Sequence, residues 1–221
     1  MTRIELLAVD LDGTLVDSAP DLAHCVDRVL ESLGLEPSGE VMIRSWIGDG
    51  VETLLERALV HATGREPDAA MRRSALDSFS SCYRLNLFER SRLYPGVRET
   101  LAALGDRGIR LACITNKRFE FADHLLEEAG IRAPFELLLG GDSLAEKKPS
   151  PLPLLTAARS CAVAPASAAM VGDSHHDYRA ACAAGYRFFW AAYGYCRTIE
   201  SDPAKPFTQI GTFGELERLA A

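Results

Sequence analysis

Leu6-Leu7-Ala8-Val9-Asp10-Leu11-Asp12-Gly13-Thr14-Leu15 decides the reading of this chain. Its apolar start reads as a strand buried on both faces, the mark of a parallel sheet. The run then delivers two carboxylates onto the loop at its C-terminal end, where open α/β sheets keep their ligands. Side chains along a strand repeat with period two, so Asp10 and Asp12 point the same way. Like charges a few ångströms apart repel unless a cation lies between them or one keeps a proton. The pair therefore points to a metal site, a nucleophile with an acid–base partner, or both. Gly13 admits a sharp turn, and the Thr14 hydroxyl can tie the loop down. Asp and Gly are also ordinary turn residues, and D-x-D-G opens calcium loops as well. A calcium loop does not fit here. Its twelfth position, counted from Asp10, is Asp21 rather than a bidentate Glu, and a strand rather than a helix leads in.

Composition narrows the function classes. The chain has 221 residues, enough for one α/β domain and a modest insert. A net charge of −7 gives nucleic-acid binding no electrostatic support. No apolar run approaches the length that spans a bilayer. The opening Met1-Thr2-Arg3-Ile4-Glu5 carries no signal-peptide core, so a cytoplasmic protein is expected. Cysteines 25, 82, 113, 161, 182 and 196 lack C-x-x-C spacing and read as reduced, mostly structural thiols, with zinc disfavoured.

Beyond the first strand, Leu22, Val26, Val29, Leu30 and Leu33 share one helical face that stops near Gly34. Residues 40–88 stay helical in character, with breaks at Gly48-Asp49-Gly50 and Gly64-Arg65-Glu66-Pro67. After Tyr94-Pro95-Gly96, helices and strands alternate. Helices are expected over 97–104, 119–129, 152–161, 178–184 and 213–219; strands over 110–115, 135–139, 168–172 and 187–191. Such alternation implies βαβ units and a Rossmann-like, doubly wound parallel sheet. The expected organisation is an α/β core over 1–15 and 93–221 with an all-helical cap inserted at 16–92. A cap on two linkers can hinge over the strand ends.

Three more strand ends carry polar groups. One strand ends in Thr115-Asn116-Lys117, where a hydroxyl, an amide and backbone N–H groups at a helix entrance suit an anion, or serve as an N-cap. Before the helix at Leu152 stands Lys147-Lys148-Pro149, in which proline restricts Lys148 to extended geometry. A third strand ends in Gly172-Asp173-Ser174-His175-His176-Asp177, where Asp177 is either a site carboxylate or a helix-start acid.

Taken in order, Asp10-x-Asp12, Thr115, Lys148-Pro149 and Gly172-Asp173-x-x-x-Asp177 resemble the haloacid dehalogenase superfamily, specifically its phosphatases with a helical cap after the first strand. The resemblance spans nearly the whole chain. It implies that Asp10 is the nucleophile that carries a transient phosphoryl group. It makes Asp12 the general acid for the leaving alcohol and then the base for water. Thr115 and Asn116 would bind the transferring phosphoryl, and Lys148 would neutralise it. Mg²⁺ would be held by Asp10, the Asp12 backbone carbonyl and Asp173, with Asp177 acting from behind them. Family members vary at the positions of His175 and His176.

The family's motifs also sort its branches. Dehalogenases usually lack the second aspartate, which is present here as Asp12. Mutase-like members usually carry Glu-Asp where this chain has Gly172-Asp173. Phosphonate hydrolases need a cap lysine, and 16–92 contains none. Asp17 to Leu22, Trp46 to Gly50, Thr115 to Lys117 and Tyr193-Gly194-Tyr195 resemble phosphatases of 2-phosphoglycolate, with Gly48 and Gly50 as candidate substrate-binding positions in the cap. The expected activity is Mg²⁺-dependent hydrolysis of a small-molecule phosphate ester, by a monomer or homodimer. A sugar phosphate such as N-acetylmuramic acid 6-phosphate is the alternative substrate, and a non-catalytic regulator on the same fold is the alternative of another class.

Overall fold

The computed structural model describes residues 3–200 and 202–220. Met1 and Thr2, the start of the stretch expected to lead into the first strand, lie outside the described residues. By Cα packing the chain divides into two compact units. One comprises the residues up to Asp17 and from Leu93 onward; the other is Ser18–Arg92.

The first unit is built on a parallel sheet. Its strands are β1 (Leu6–Val9), β4 (Arg110–Ile114), β5 (Leu137–Leu139), β6 (Ala168–Gly172), β7 (Arg187–Ala191) and β8 (Thr208–Ile210). The spatial order is β5-β4-β1-β6-β7-β8, and each neighbouring pair is parallel. Leu6 to Val9 are fully buried because β1 is central and covered on both faces. Helices α7 (Leu152–Ser160) and α8 (His175–Ala184) close one face over Leu6, Ala8, Ile114, Met170 and Phe188. The connections run one way from β1 to β4 and β5, and the other way to β6 and β7. That reversal is the doubly wound order anticipated from the alternation of elements, and it opens a crevice at the C-terminal end of β1.

Several element ends shift by a residue or two, and three departures from expectation have a local cause. Strand β5 starts at Leu137 because Phe135 N–H closes a turn onto Arg132 O at 3.2 Å. Strand β8 has no apolar run, since only Ile210 of its three residues is buried. Helix α8 begins three residues before Tyr178. Ser174 caps it by accepting from Asp177 N–H, while Asp177 accepts from Ser174 N–H, a reciprocal capping box.

Within the second unit, α1 (Ala19–Ser32), α2 (Glu40–Arg44), α3 (Val51–Thr63) and α4 (Ala69–Asn86) follow in order. Leu22, Val26, Val29 and Leu30 on α1 join Leu54, Leu55, Ala58 and Leu59 on α3, and Ala75, Phe79 and Tyr83 on α4, among its buried residues. Short strands β2 (Val16–Asp17) and β3 (Arg92–Leu93) pair where the chain leaves and re-enters the sheet unit. No helix among the described residues is long and apolar enough to cross a membrane.

The second unit is also tied by a buried charge. Asp21 on α1 is fully buried and accepts from Arg90 N–H and Ser91 N–H, each at 2.9 Å, and from the Ser91 hydroxyl. Replacing Asp21 by Ala strands these buried donors and is expected to cost about 3 kcal/mol in urea unfolding. Asp21→Asn keeps one acceptor and is expected to lose less.

Candidate active site

The register of the sheet assembles the site. Asp10 follows Val9, which faces Cys113 on one side and Val171 on the other, and Asp10 N–H donates to Val171 O at 2.9 Å. Asp10 thus sits between the ends of β4 and β6, beside the segments carrying Thr115 and Asp173. Asp10, Asp173 and Asp177 are all buried, and each offers an oxygen within 4.8 Å of the others.

One ammonium balances them. Lys148 is only 2% exposed; its Nζ lies 2.8 Å from Asp10 Oδ1 and 2.6 Å from Asp177 Oδ1, and it donates to Ile114 O at 2.6 Å. Ile114 O and Asp177 Oδ1 accept hydrogen bonds from it, whereas Asp10 Oδ1 is held by charge. Asn116 Nδ2 donates to Lys148 O at 2.9 Å and braces the segment from behind. The other oxygen of Asp177, Oδ2, accepts from Ser174 N–H and Oγ. The helix-start and site readings of Asp177 therefore describe one side chain doing both.

Asp173 is held from the far side. Its Oδ2 accepts from Tyr195 N–H at 2.7 Å, and its Oδ1 accepts from the Thr14 hydroxyl at 3.3 Å. The loop after β1 turns at Gly13, with φ +82° and Gly13 N–H donating to Val16 O at 2.9 Å. A Cβ on Gly194 would come within 2.3 Å of Asp173 Cβ and 2.4 Å of Gly13 O, so only glycine lets these loops meet. Tyr193 Oη donates to Thr14 O at 2.9 Å and locks the same junction.

Asp12 stands apart from the cluster. Lys117, itself almost fully buried, donates to both its carboxylate oxygens at 3.0 and 3.2 Å. Thr115 is buried, and its Oγ1 accepts from Lys117 N–H at 3.2 Å. Gly48 and Gly50 lie in the second unit, between α2 and α3, with φ of 131° and 90°. His175 and His176 occupy the first turn of α8, half-exposed. Sequence reading singled out Asp10, Asp12, Thr115, Asn116, Lys148, Asp173 and Asp177. It did not assign Lys117 or Tyr195, whose partners lie 105 and 22 residues away.

Electrostatics follow from burial. Loss of water, then the charge of Asp177, push the Asp10 carboxyl up to about 7 against the pull of Lys148. Burial, then Asp10 and Asp177, hold Asp173 well above the usual carboxylate range. Burial alone would depress Lys148, but the facing carboxylates outweigh it and its ammonium is strengthened. The cluster carries more negative charge than its one ammonium offsets.

A parallel α/β sheet with a carboxylate–lysine cluster at its C-terminal strand ends is the frame of a hydrolytic enzyme acting on anions. A family model described as haloacid dehalogenase-like hydrolase matches residues 7–191, and the chain belongs to that family. It is 44% identical over 215 residues to the phosphoglycolate phosphatase of Nitrosococcus oceani, covering 97% of this chain and 96% of that protein. A solved structure described as a predicted phosphoglycolate phosphatase from Haemophilus somnus 129PT matches with a TM-score of 0.93 at 35% identity, covering all of both chains. CbbY from Rhodobacter sphaeroides, solved with phosphate, matches with a TM-score of 0.77 at 28% identity over 96% of each chain. The protein is a phosphoric monoester hydrolase of this family.

A linkage prediction follows from the raised carboxyls. A carboxyl whose value rises from 3.8 unfolded to about 7 folded binds more protons in the folded state across that window. Stability is thus lost as pH rises through it. In chelator, the melting temperature at pH 5 is expected to exceed that at pH 7.5 by a few degrees. Asp10→Asn flattens that slope, and added divalent cation restores stability at pH 7.5. Calorimetry checks all three outcomes.

Proposed function

We propose that this enzyme hydrolyses a small phosphomonoester, 2-phosphoglycolate foremost, to the free alcohol and phosphate through a phosphoryl group carried by Asp10, with Mg²⁺ as cofactor. The observation that carries the reading is the Asp10 carboxylate, buried at a strand end between Lys148 and Asp173. Near-full-length similarity to a phosphoglycolate phosphatase supports the substrate. Six free thiols support a reducing, cytoplasmic compartment.

The donor set fits a hard divalent cation. Three buried carboxylates face one ammonium, and two of them are driven toward protonation by burial and mutual repulsion. Oxygen ligands of this kind suit Mg²⁺. Asp10 and Asp173 would hold it, with the Asp12 backbone carbonyl. Asp177 has one oxygen on Lys148 and the other on Ser174, so it acts through Lys148. When bound, the cation neutralises nucleophile and phosphoryl oxygens and lets them approach.

The side chains then divide the reaction. An Asp10 oxygen attacks phosphorus, and the bond to the leaving alkoxide breaks as Asp12 gives it a proton. Asp12, now ionised, takes a proton from water; that water attacks phosphorus and releases Asp10. Lys148 offsets charge on the transferring group, and the Thr115 hydroxyl orients it. Lys117 positions the Asp12 carboxyl for both proton transfers. Gly48 and Gly50 of the helical unit are substrate-binding positions in this reading.

Phosphate release is to be measured on 2-phosphoglycolate and several sugar phosphates, with Mg²⁺ and with chelator. The highest kcat/KM is expected for 2-phosphoglycolate, with activity lost in chelator and with Asp10→Asn lowering kcat about a thousandfold or more. A sugar phosphate as best substrate keeps the mechanism and moves the function; no release from any substrate overturns the reading. Lys117→Ala is expected to lower kcat on 2-phosphoglycolate by roughly 10- to 100-fold, the range of general-acid assistance. On p-nitrophenyl phosphate, whose leaving group needs no proton, the same variant is expected to lose less, because only the proton transfer from water then depends on Asp12. Equal losses on both substrates would remove Lys117 from protonation of the leaving group.

A further inference from the structure

The helical unit holds two sulfurs in contact. Cys82 on α4 directs its Sγ at Cys25 Sγ on α1, 2.9 Å away across 57 residues of chain. That is closer than two sulfurs ordinarily sit without a bond, whereas a disulfide needs about 2.0 Å. The two cysteines lie on helices that pack together in one unit. Cys25 is buried and Cys82 half-buried, so one partner is sheltered and the other reachable from solvent. Cys25 stands one helical turn beyond Asp21, which ties α1 to Arg90 and Ser91 just after α4. Both helices are thus already fixed against each other where the sulfurs meet. None of the groups assigned to phosphoryl transfer lies in this cluster.

We propose that Cys25 and Cys82 form a reversible disulfide when the protein meets hydrogen peroxide. Burial above all, then the neighbouring Cys82, keep the Cys25 thiol protonated, which leaves the first step to the reachable sulfur. Cys82 sulfur attacks the peroxide O–O bond, becomes a sulfenic acid and releases water. Cys25 sulfur then attacks the Cys82 sulfur. The S–S bond forms, the S–O bond breaks, and the leaving hydroxide takes the Cys25 proton as a second water. Two thiols lose two electrons to one peroxide, and a thiol reductant reverses the change. The product bolts α1 to α4 and closes a long loop, which removes freedom from the unfolded chain.

The full-length protein is to be titrated with hydrogen peroxide at neutral pH, quenched, and analysed by thiol counting and peptide mass mapping. Reactive thiols in denaturant are expected to fall by two from six, with one linked peptide pair joining Cys25 and Cys82. The oxidised form is expected to melt roughly 5–10 °C higher, and dithiothreitol to restore the original value. Cys82→Ser is expected to abolish the link and the shift. Cys25→Ala is expected to leave Cys82 as a sulfenic acid that dimedone traps; should that buried variant fail to fold, Cys82→Ser and the peptide map decide alone. Linkage between other cysteines, thiol loss unchanged in Cys82→Ser, or a melting temperature unmoved by the Cys25–Cys82 link would overturn the proposal.

Discussion

The Lys148 ammonium, with Asp10 at 2.8 Å and Asp177 at 2.6 Å, is the contact from which the arrangement of the sheet unit follows. Three buried carboxylates would repel one another apart without it, since each has lost the water that normally screens its charge. Every group around the cluster relieves some of that repulsion. Ile114 O accepts from Lys148, Tyr195 N–H takes one oxygen of Asp173, and the cap of α8 takes one oxygen of Asp177. Close approach of these loops leaves no room for a Cβ at Gly194. The cost of gathering negative charge is thus spread over backbone donors that the sheet supplies at fixed positions.

The parallel sheet explains why these groups can meet. Asp10, Thr115 and Asp173 come from chain segments far apart in sequence, yet β4, β1 and β6 are neighbours in register. Parallel pairing puts all their C-terminal ends on one edge, and covering helices exclude water from the other sides. Strand β1, fully buried and central, bears on both neighbours at once. Shifting its register by one residue would turn Asp10 away from Lys148 and exchange the side chains packed under α7 and α8 for those of the opposite face. Fold and site are therefore specified by one run of residues.

The helical unit meets an opposite requirement, because it carries no lysine and its interhelical turn holds an acid. Asp49, between Gly48 and Gly50, pairs with Arg57 at 2.6 Å, and Arg57 also donates to Trp46 O. The carboxylate is neutralised by the first turns of α3, so the turn carries no net negative charge. A partly exposed pair of this kind contributes little stability, and its effect is on the shape and charge of the turn.

Legibility in the sequence tracked the range of the interaction. The strand β1 and the carboxylates after it were readable because burial and period-two pleating are local and leave an apolar run with an abrupt polar end. The same holds for β4 and β6 and for the amphipathic face of α1. Edge strand β8 was not readable, since two of its three residues face solvent and its pairing depends on β7 rather than on its own pattern. The start of α8 lies three residues before the expected one although its signal, Ser174 three residues before Asp177, is local; the helix-start reading of Asp177 came without Ser174 as its cap. Pairings of Lys117 with Asp12, Tyr195 with Asp173, and Cys25 with Cys82 leave no periodic trace at all. They arise only after the chain is folded, where a side chain fills the donor or acceptor that a distant strand end has left open. A sequence therefore announces the groups that a local element must present, while the partners that hold those groups in place are products of the tertiary fold.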